Sequence, residues 1–378
     1  MSSKVTVEKS TFAESLAIVG RAVASGPHLP VLANVLIASE GGQLRLAATD
    51  LTLGVSVWLD ARLDGQLALT LPAKTLTDIV NSLADSEVQF SVNGKPEAAI
   101  KSGTFKGVVR GIEATEFPAI PEHDVSNGVA LDASILKEMI QATAFAASID
   151  EARPVLEGVQ LSLDGNSLSM VATDGFRLAI KKATLPVSVS SQQAIIPASS
   201  LKETVRILSA TKPDQVHLLI PQKGSQVVLR VANVQLISQL IDGRFPDYQA
   251  IVPKGYKTRT VLATADLLKA CKQAAIIARE GGNVIQLRLT PGEDQTGKVT
   301  VLAESGDTGK SEVELPATII GLEMTIAFNV KFLQDGLEAV RTKNVVIETN
   351  AHNTPAVIRP AGEDEYQYIL MPMHVDGN

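Results

Sequence analysis

Two glycine-rich stretches in the last third of the chain have the residue types that bind nucleotide phosphates. Gly292–Lys298 follows the G-x-x-x-x-G-K spacing but continues into Val299, without the hydroxyl that would hold Mg²⁺. Gly306–Ser311 ends in Gly-Lys-Ser, yet Glu304 stands where the first glycine is required. A phosphate loop also needs a helix N-terminus after it, and the alternating pattern of Glu312–Pro316 predicts a strand instead. A hairpin loop is therefore the preferred interpretation.

The histidines and the cysteine do not form a recognisable catalytic or metal-binding pattern. The histidines are scattered and lie mostly in predicted loops: His28, His123, His217, His352 and His374. Neither H-E-x-x-H nor G-x-S-x-G occurs. Cys271 is the single cysteine, which excludes an intramolecular disulfide and a multi-cysteine zinc site. We therefore expect no catalytic residue, no metal and no cofactor, although a triad assembled from distant positions stays open.

The composition of the chain indicates its cellular compartment and limits the classes of partner it could bind. A lone cysteine is typical of the reducing cytoplasm. Met1–Phe12 lacks the apolar core of a signal peptide, and no apolar run reaches ~18 residues, so we expect no membrane partner. The hydrophobic fraction of 45% is ample for globular cores. The net charge of -7, taken alone, argues against binding to nucleic acid.

Two other segments have the residue types of a binding surface. Thr173–Leu178 is predicted to be a polar turn after a strand. It is either a tight turn in which Asp174 accepts backbone N–H bonds, or the rim of a pocket. Tyr368–His374 is an apolar strand that ends in two methionines around a proline. Such a segment is either core or the adaptable wall of a groove that binds peptides.

These segments belong to a threefold repeat of helix, strand, turn and strand. Apolar residues at helical spacing predict the first helix of each copy. These helices span about 12–24, 135–147 and 266–279. The strands of the first two copies end in the same pair, Thr49-Asp50 and Thr173-Asp174, which the third copy lacks. Units that recur at about 125 residues indicate tandem domains.

Each copy continues with a second helix and a strand hairpin. Similar phrases introduce the second helices: Leu71–Lys74, Ile196–Ser199 and Phe328–Lys331. Ser200 with Glu203 fits a capping box. Proline-rich junctions at Pro121–Asn127 and Pro253–Thr258 mark the boundaries. The predicted domains are therefore 1–125, 126–255 and 256–378, all of the α+β class.

Six phrases spread in order over the whole chain carry a family resemblance. They are Leu29–Leu36, Arg153–Gly158, Ala172–Leu178, Gly243–Tyr248, Ala327–Asn329 and Leu370–Met373. Together they resemble the bacterial beta sliding clamps, the processivity subunits of replicative DNA polymerase III. The resemblance implies three repeated DNA-clamp domains, each with two inner helices backed by antiparallel sheets. It also implies that two chains close head to tail as a homodimeric ring around double-stranded DNA, without catalysis.

The resemblance further implies a pocket between the second and third domains. Such a pocket receives short segments of the polymerase subunit, the clamp loader and other clamp-motif proteins. Carried over by motif, the pocket residues are Leu156, Thr173, Gly175, Phe176, Arg177, Leu178, Pro246, Asn329, Phe332, Met371, Pro372 and Met373. Phe176 stands where many members have His or Tyr, and Val375–Asn378 extends past the usual end of the family.

DNA contact and ring closure are assigned to further residues. Windows around the six predicted helices contain as many basic as acidic residues, so the rest of the chain carries the whole net negative charge. The basic residues expected to face DNA are Lys74, Lys137, Lys202, Arg206, Lys269, Lys272, Lys331 and Arg341. The resemblance assigns Phe105, Ile276 and Ile277 to the dimer interface. A clamp must slide, so a modestly positive lining is sufficient, because closure of the ring retains the DNA.

Two alternatives from other functional classes remain. The first is a nucleotide-binding hydrolase that uses Gly306–Ser311. The second is a repeat scaffold that binds peptides and never DNA. Nucleotide binding would indicate the first, and failure to stay on circular DNA would indicate the second.

Overall fold

The computed structural model describes residues 3–26, 28–221, 224–306 and 308–374. The chain divides into two compact units. Unit 1 comprises residues 1–136 and 199–240, and unit 2 comprises residues 137–198 and 241–378. The predicted central domain, 126–255, thus contributes to both units. The boundaries of the three predicted domains stay a prediction.

The six predicted helices are confirmed, each starting within a few residues of the expected position. They are α1 (Lys9–Val19), α2 (Ala73–Ser82), α3 (Ala133–Thr143), α4 (Ala198–Thr211), α5 (Thr264–Ala278) and α6 (Val330–Glu338). The predicted capping box is wrong, because α4 begins at Ala198 and Ser200 lies inside the helix. The buried Ser200 hydroxyl instead accepts a hydrogen bond from Ser238 Oγ at 2.8 Å.

Strands account for most of the remaining described chain. In chain order they are β1 (Ser3–Glu8), β2 (Asn34–Glu40), β3 (Gln43–Thr49), β4 (Leu53–Leu59), β5 (Arg62–Asp64), β6 (Ala68–Pro72), β7 (Glu87–Val92), β8 (Glu97–Ser102), β9 (Phe105–Arg110), β10 (Ile112–Glu113), β11 (Val129–Asp132), β12 (Gly158–Thr173), β13 (Arg177–Pro197), β14 (Gln215–Leu219), β15 (Gln226–Val231), β16 (Val234–Gln239), β17 (Thr258–Ala263), β18 (Val284–Pro291), β19 (Thr296–Ser305), β20 (Gly309–Gly321), β21 (Met324–Asn329), β22 (Asn344–Thr349), β23 (Ala356–Pro360) and β24 (Tyr366–Leu370). The strand–turn–strand pattern that the second copy predicts, with its turn at residues 164–166, is wrong: β12 runs from Gly158 to Thr173, and Gly165 (φ +56°) marks a shift of register against β13 instead of a turn.

Unit 1 contains two antiparallel sheets. The smaller has the order β5-β1-β7-β8-β9, and the larger has the order β10-β6-β2-β3-β4-β16-β15-β14-β11. The larger sheet joins strands of two sequence copies, because β4 pairs with β16 from Leu53↔Ser238 to Val57↔Val234. Helix α1 packs on β3 and β4 and buries Phe12, Leu16 and Val19. Repeated copies of the chain are thus joined by backbone hydrogen bonds within one sheet.

Unit 2 is organised around one antiparallel sheet with the order β12-β13-β24-β23-β22-β17-β20-β19-β18-β21. Here β13 pairs with β24 from Arg177↔Leu370 to Lys181↔Tyr366, and this pairing again joins two sequence copies. Helix α5 packs on β19 and β20 and buries Cys271, whose thiol has its pKa raised to about 12 by burial. None of the described helices is both long enough and apolar enough to cross a membrane.

Candidate functional site

The turn that joins β12 to β13 is held by two short polar side chains. Asp174 Oδ1 accepts hydrogen bonds from the backbone N–H groups of Phe176 (2.9 Å) and Arg177 (3.0 Å). Thr173 Oγ1 accepts from Gly175 N at 3.1 Å and donates to Arg177 O at 2.6 Å. Gly175 has φ +94°, a conformation that favours glycine. The turn therefore projects Phe176 outward, with 60% of the residue exposed.

The Arg177 side chain turns back from the same turn and is enclosed. Its Nε donates to Asp174 Oδ2 at 3.0 Å, its Nη2 donates to Phe145 O at 2.9 Å, and its Nη1 donates to Asp335. The guanidinium carbon lies 4.3 Å from the ring centroid of Phe332 and 5.5 Å from that of Phe145. Burial opposes the charge, but the hydrogen bond to Asp335 and the nearby carboxylates outweigh it and raise the pKa of Arg177. Arg177 is thus a fixed cation.

The predicted C-terminal segment lies beside this turn. Met371 N donates to Phe176 O at 2.9 Å, and Met373 N donates to Ala327 O at 2.8 Å. Met371 is 40% exposed. A backbone hydrogen bond therefore holds Phe176 and Met371 opposite each other just beyond the paired ends of β13 and β24, and both apolar residues are exposed.

Asn329 helps to position Phe332, whose aromatic ring lies against the Arg177 guanidinium. The Asn329 side-chain oxygen accepts hydrogen bonds from Lys331 N (3.0 Å) and Phe332 N (3.4 Å), and so caps α6. Phe332 O accepts a hydrogen bond from Tyr368 Oη at 2.8 Å. Asn329 therefore supports the site as a helix cap.

An apolar cluster underlies the turn. Its buried members are Val171, Leu178, Ile180, Ile195, Phe245, Val357 and Ile369, with Val155, Ile241, Tyr248 and Val252 packed against it. Of the predicted pocket residues, Leu178 belongs to the cluster itself. Leu156 and Pro246 follow the cluster members Val155 and Phe245 in sequence, and Pro246 is exposed. The residues predicted for the pocket thus include members of a buried apolar cluster and exposed residues next to it, and their role in binding peptides stays a prediction.

The tight-turn interpretation of Asp174 is confirmed, because its carboxylate accepts the backbone N–H groups of Phe176 and Arg177. Sequence reasoning missed two residues that hold Arg177. Asp335 pairs with Arg177, and the Phe145 carbonyl and ring contact the same guanidinium. Asp335 and Phe145 gave no sequence signal, because their contacts with Arg177 depend on the tertiary fold.

The basic residues predicted to face DNA all lie on or next to helices. Lys74, Lys202, Arg206, Lys269, Lys272, Lys331 and Arg341 are exposed, and Lys137 is half-buried. Three of them have partners: Arg206 pairs with Glu203, Lys272 Nζ lies 2.9 Å from Glu338 Oε1, and Arg341 Nη2 donates to Gln141 Oε1 at 2.8 Å. Their contact with DNA stays a prediction.

The residues predicted for the dimer interface belong to different units of one chain. Phe105 is half-buried at the start of β9 in unit 1. Ile276 and Ile277 lie near the end of α5 in unit 2, and Ile276 is 68% exposed. A large apolar side chain this exposed is a candidate for burial against another molecule.

The phosphate-loop candidates lie in hairpins. Gly292–Lys298 joins β18 to β19, and Gly306–Ser311 joins β19 to β20, although Asp307 is outside the described residues. Strand β20 begins at Gly309, so no helix N-terminus follows directly after this loop. Within the part of the chain that the structure describes, no group of three or more His, Cys, Asp or Glu could hold a metal ion. The tail Val375–Asn378 also lies outside the described residues.

Family models match the chain in three consecutive stretches. They describe the DNA polymerase III beta subunit: its N-terminal domain over residues 3–121, its central domain over 130–247 and its C-terminal domain over 249–374. Each of the three predicted copies is thus similar to one domain of that subunit.

Curated and solved proteins are similar over nearly the whole chain. The beta sliding clamp of Synechococcus elongatus is 33% identical over 377 residues, which cover 98% of this chain and 99% of the relative. A solved DNA polymerase sliding clamp from Bacillus subtilis has a TM-score of 0.93 at 27% identity, with coverage of 99% and 100%. The solved DNA polymerase III beta subunit of Thermotoga maritima has a TM-score of 0.90 at 28% identity, with the same coverage.

Proposed function

The chain belongs to the DNA polymerase III beta subunits, the bacterial beta sliding clamps, and on that premise we propose how it works. It encircles duplex DNA as a closed homodimer and holds the polymerase on the template through a peptide pocket. The chain itself performs no catalysis; the tethered partners do. It has the α+β fold of three clamp domains, and its work on the chromosome places it in the cytoplasm.

The observation that carries this proposal is the site around Phe176. Two exposed apolar side chains, Phe176 and Met371, stand beside a buried apolar cluster that contains Leu178 and Phe245. Peptide anchors such as Leu and Phe gain affinity by filling apolar sites of this kind. The exposed Pro246 adds a shape constraint, whereas the enclosed Arg177 holds the turn that carries Phe176. The site therefore suits a short peptide with apolar anchors, carried by the polymerase subunit, the clamp loader or other clamp-motif proteins.

Ring closure is proposed to use two strand edges. Among the described strands, β9 pairs only with β8, and the part of β20 from 309 to 317 pairs only with β19. Unpaired edges invite another strand. Head-to-tail association would pair β9 of one chain with β20 of its partner, and would cover Phe105, Ile276 and Ile277. This arrangement closes both edges at once, as a symmetric dimer requires.

We propose that the protein binds DNA weakly through its basic side chains. Each cation that neutralises a phosphate releases counterions and adds affinity that salt removes. Two of the eight predicted cations, Arg206 and Lys272, already pair with carboxylates of the protein. Such a surface attracts DNA without fixing it, so enclosure rather than contact keeps the protein in place.

The decisive experiment compares circular with linear DNA. Protein loaded on nicked circular DNA by a clamp loader should stay bound through gel filtration at high salt. It should be lost once the same DNA is cut with a restriction enzyme. Loss from the uncut circle at high salt would contradict enclosure and would favour a scaffold that binds only peptides.

A charge at the proposed interface should open the ring. Ile276→Glu places a carboxylate on a surface that the dimer would bury. We expect a monomer mass by multi-angle light scattering and loss of retention on circular DNA. Val187→Glu, another exposed apolar position, is the matched control and should remain dimeric. A dimer mass for Ile276→Glu would remove this interface assignment.

The hydrolase alternative is tested separately. The hairpin at Gly306–Ser311 lacks a following helix, and therefore lacks the aligned N–H groups that bind phosphates. Equilibrium dialysis with labelled ATP and Mg²⁺ should show no binding. Saturable binding that Lys310→Ala abolishes would revive this alternative.

A further inference from the structure

Strand β13 has two chemically different faces near its start. Leu178 and Ile180 point into the apolar cluster beside Phe176. Arg177, Ala179 and Lys181 alternate with them and so lie on the opposite face. The side chains of Arg177 and Lys181 are only 10% and 11% exposed. One strand therefore separates the base of the proposed peptide site from two buried cations.

Each buried cation binds a carboxylate on a helix. Arg177 pairs with Asp335 of α6, and Lys181 Nζ lies 2.8 Å from Glu138 Oε1 of α3. Removing one partner of an enclosed ion pair is costly, because the remaining charge stays desolvated. These two pairs thus fix residues of α3 and α6 relative to β13.

A cleft lies beside the two ion pairs. It has a volume of about 290 Å³, and its lining includes Glu138, Phe145, Asp335 and Arg341. A cleft lacks the side-chain packing that holds helices in place in a filled core. The ion pairs at its wall therefore contribute more to the positions of α3 and α6.

Hydrogen bonds run without a gap from α6 to the edge of the peptide site. Asp335 holds Arg177, and Arg177 Nε binds Asp174 Oδ2. The other oxygen of Asp174 accepts the backbone N–H of Phe176. A displacement of Asp335 is therefore transmitted to the residue that stands at the rim of the site.

We propose that Asp335 is a positioning residue for the peptide site, through which peptide binding and the placement of α6 are energetically coupled. This inference rests on the proposed peptide-binding function of the Phe176 surface. A peptide that seats on the turn stabilises the arrangement in which Arg177 is held by Asp335. By linkage, a loosely held α6 lowers the affinity for the peptide, and a bound peptide holds α6 more firmly in place.

The test uses the full-length protein and a synthetic peptide with Gln, Leu and Phe anchors, labelled for fluorescence anisotropy. Asp335→Asn keeps the shape and removes the charge. We expect its dissociation constant to rise about fivefold to tenfold, the lower end of ordinary coupling between sites. Asp335→Glu should recover most of the affinity. Glu338→Gln removes a carboxylate from the same helix, one whose ion-pair partner among the described residues is the exposed Lys272, and should bind like the wild type.

Hydrogen exchange separates positioning from general stability. Peptide should slow amide exchange in residues 330–338 of the wild type and of Glu338→Gln, but not of Asp335→Asn. Wild-type affinity in a folded Asp335→Asn variant would overturn the inference, as would equal peptide-induced protection of α6 in both proteins. If Asp335→Asn does not fold, Asp174→Asn breaks the same chain between Arg177 and Phe176 while its amide oxygen can still accept the N–H groups of the turn, and wild-type affinity and protection there would also overturn it. Failure of the wild type to bind the peptide would refute the proposed function instead.

Discussion

The turns after β3 and β12 are held by the same hydrogen bonds but carry different side chains. In the first turn, Thr49 Oγ1 accepts Leu51 N, and Asp50 Oδ1 accepts Thr52 N and Leu53 N. Thr173 and Asp174 make the equivalent bonds in the second. Even the next contact agrees: Gln239 N donates to Thr52 O at 2.8 Å, as Met371 N does to Phe176 O at 2.9 Å.

The side chains of the two turns differ at three consecutive positions. Leu51, Thr52 and Leu53 of the first turn stand where the second has Gly175, Phe176 and Arg177. Leu53 is buried and uncharged, whereas Arg177 binds two carboxylates. The Thr-Asp pair thus supplies the same backbone scaffold in both copies, and the three following residues give the second turn the exposed Phe176 and the enclosed Arg177 of the proposed peptide site.

The largest expected effect comes from the phenylalanine that underlies each turn. Phe117 and Phe245 are 8% and 6% exposed in corresponding apolar clusters. Replacing either with Ala should cost about 3–5 kcal/mol of unfolding free energy, measured by chemical denaturation. Only Phe245→Ala should also raise the dissociation constant of the peptide, measured by an anisotropy titration. Equal peptide affinity in the two folded variants would show that the clusters do not differ in function.

A smaller effect on stability is expected from replacing Asp50 or Asp174, and the two replacements should differ in size. Asp50→Ala removes the exposed carboxylate oxygen that accepts hydrogen bonds from two backbone N–H groups, and should cost about 1 kcal/mol. Asp174→Ala also strips a carboxylate from the enclosed Arg177 and should cost about 3 kcal/mol. Thermal unfolding of both variants measures the gap. Equal shifts in melting temperature would mean that Asp335 alone suffices to hold Arg177.

The smallest effect concerns the residue with positive φ. Leu51 has φ +78°, which strains a side chain with a Cβ, and the corresponding Gly175 has φ +94°. Leu51→Gly should therefore be neutral or stabilising by up to about 1 kcal/mol, since relief of strain opposes the entropy of glycine. Gly175→Leu should destabilise by about 1–2 kcal/mol. Differential scanning calorimetry measures both; a clear loss of stability in Leu51→Gly would contradict strain at this turn.

Local patterns predicted the elements well. Helical spacing located all six helices, and the hairpins β7–β8, β14–β15 and β22–β23 form where alternating residues flank turn residues. The Thr-Asp phrase located the turn that carries Phe176. These features depend on residues close in sequence, which is why single-chain patterns suffice to find them.

Contacts between residues far apart in sequence could not be predicted from local patterns. The capping-box pattern at Ser200 and Glu203 was misleading, because the preceding strand already fixes the start of α4 and leaves Ser200 to Ser238. The pairing of Arg177 with Asp335 joins residues 158 positions apart. No local pattern encodes it, since either residue alone suits an ordinary solvated surface. Ile241 and Val252 were missed for the same reason, because only the fold packs them against the apolar cluster that contains the predicted Leu178.

The ladder between β4 and β16 has a practical consequence for anyone who wishes to express the copies separately. A fragment that stops near residue 125 would lose β16, and would present the backbone of Leu53–Val57 without its hydrogen-bonding neighbour. An open edge of this kind recruits a strand from another molecule. Fragment expression should therefore yield aggregates or exchanged assemblies, and a well-behaved shorter protein would need residues 234–239 supplied in trans or fused behind the first copy.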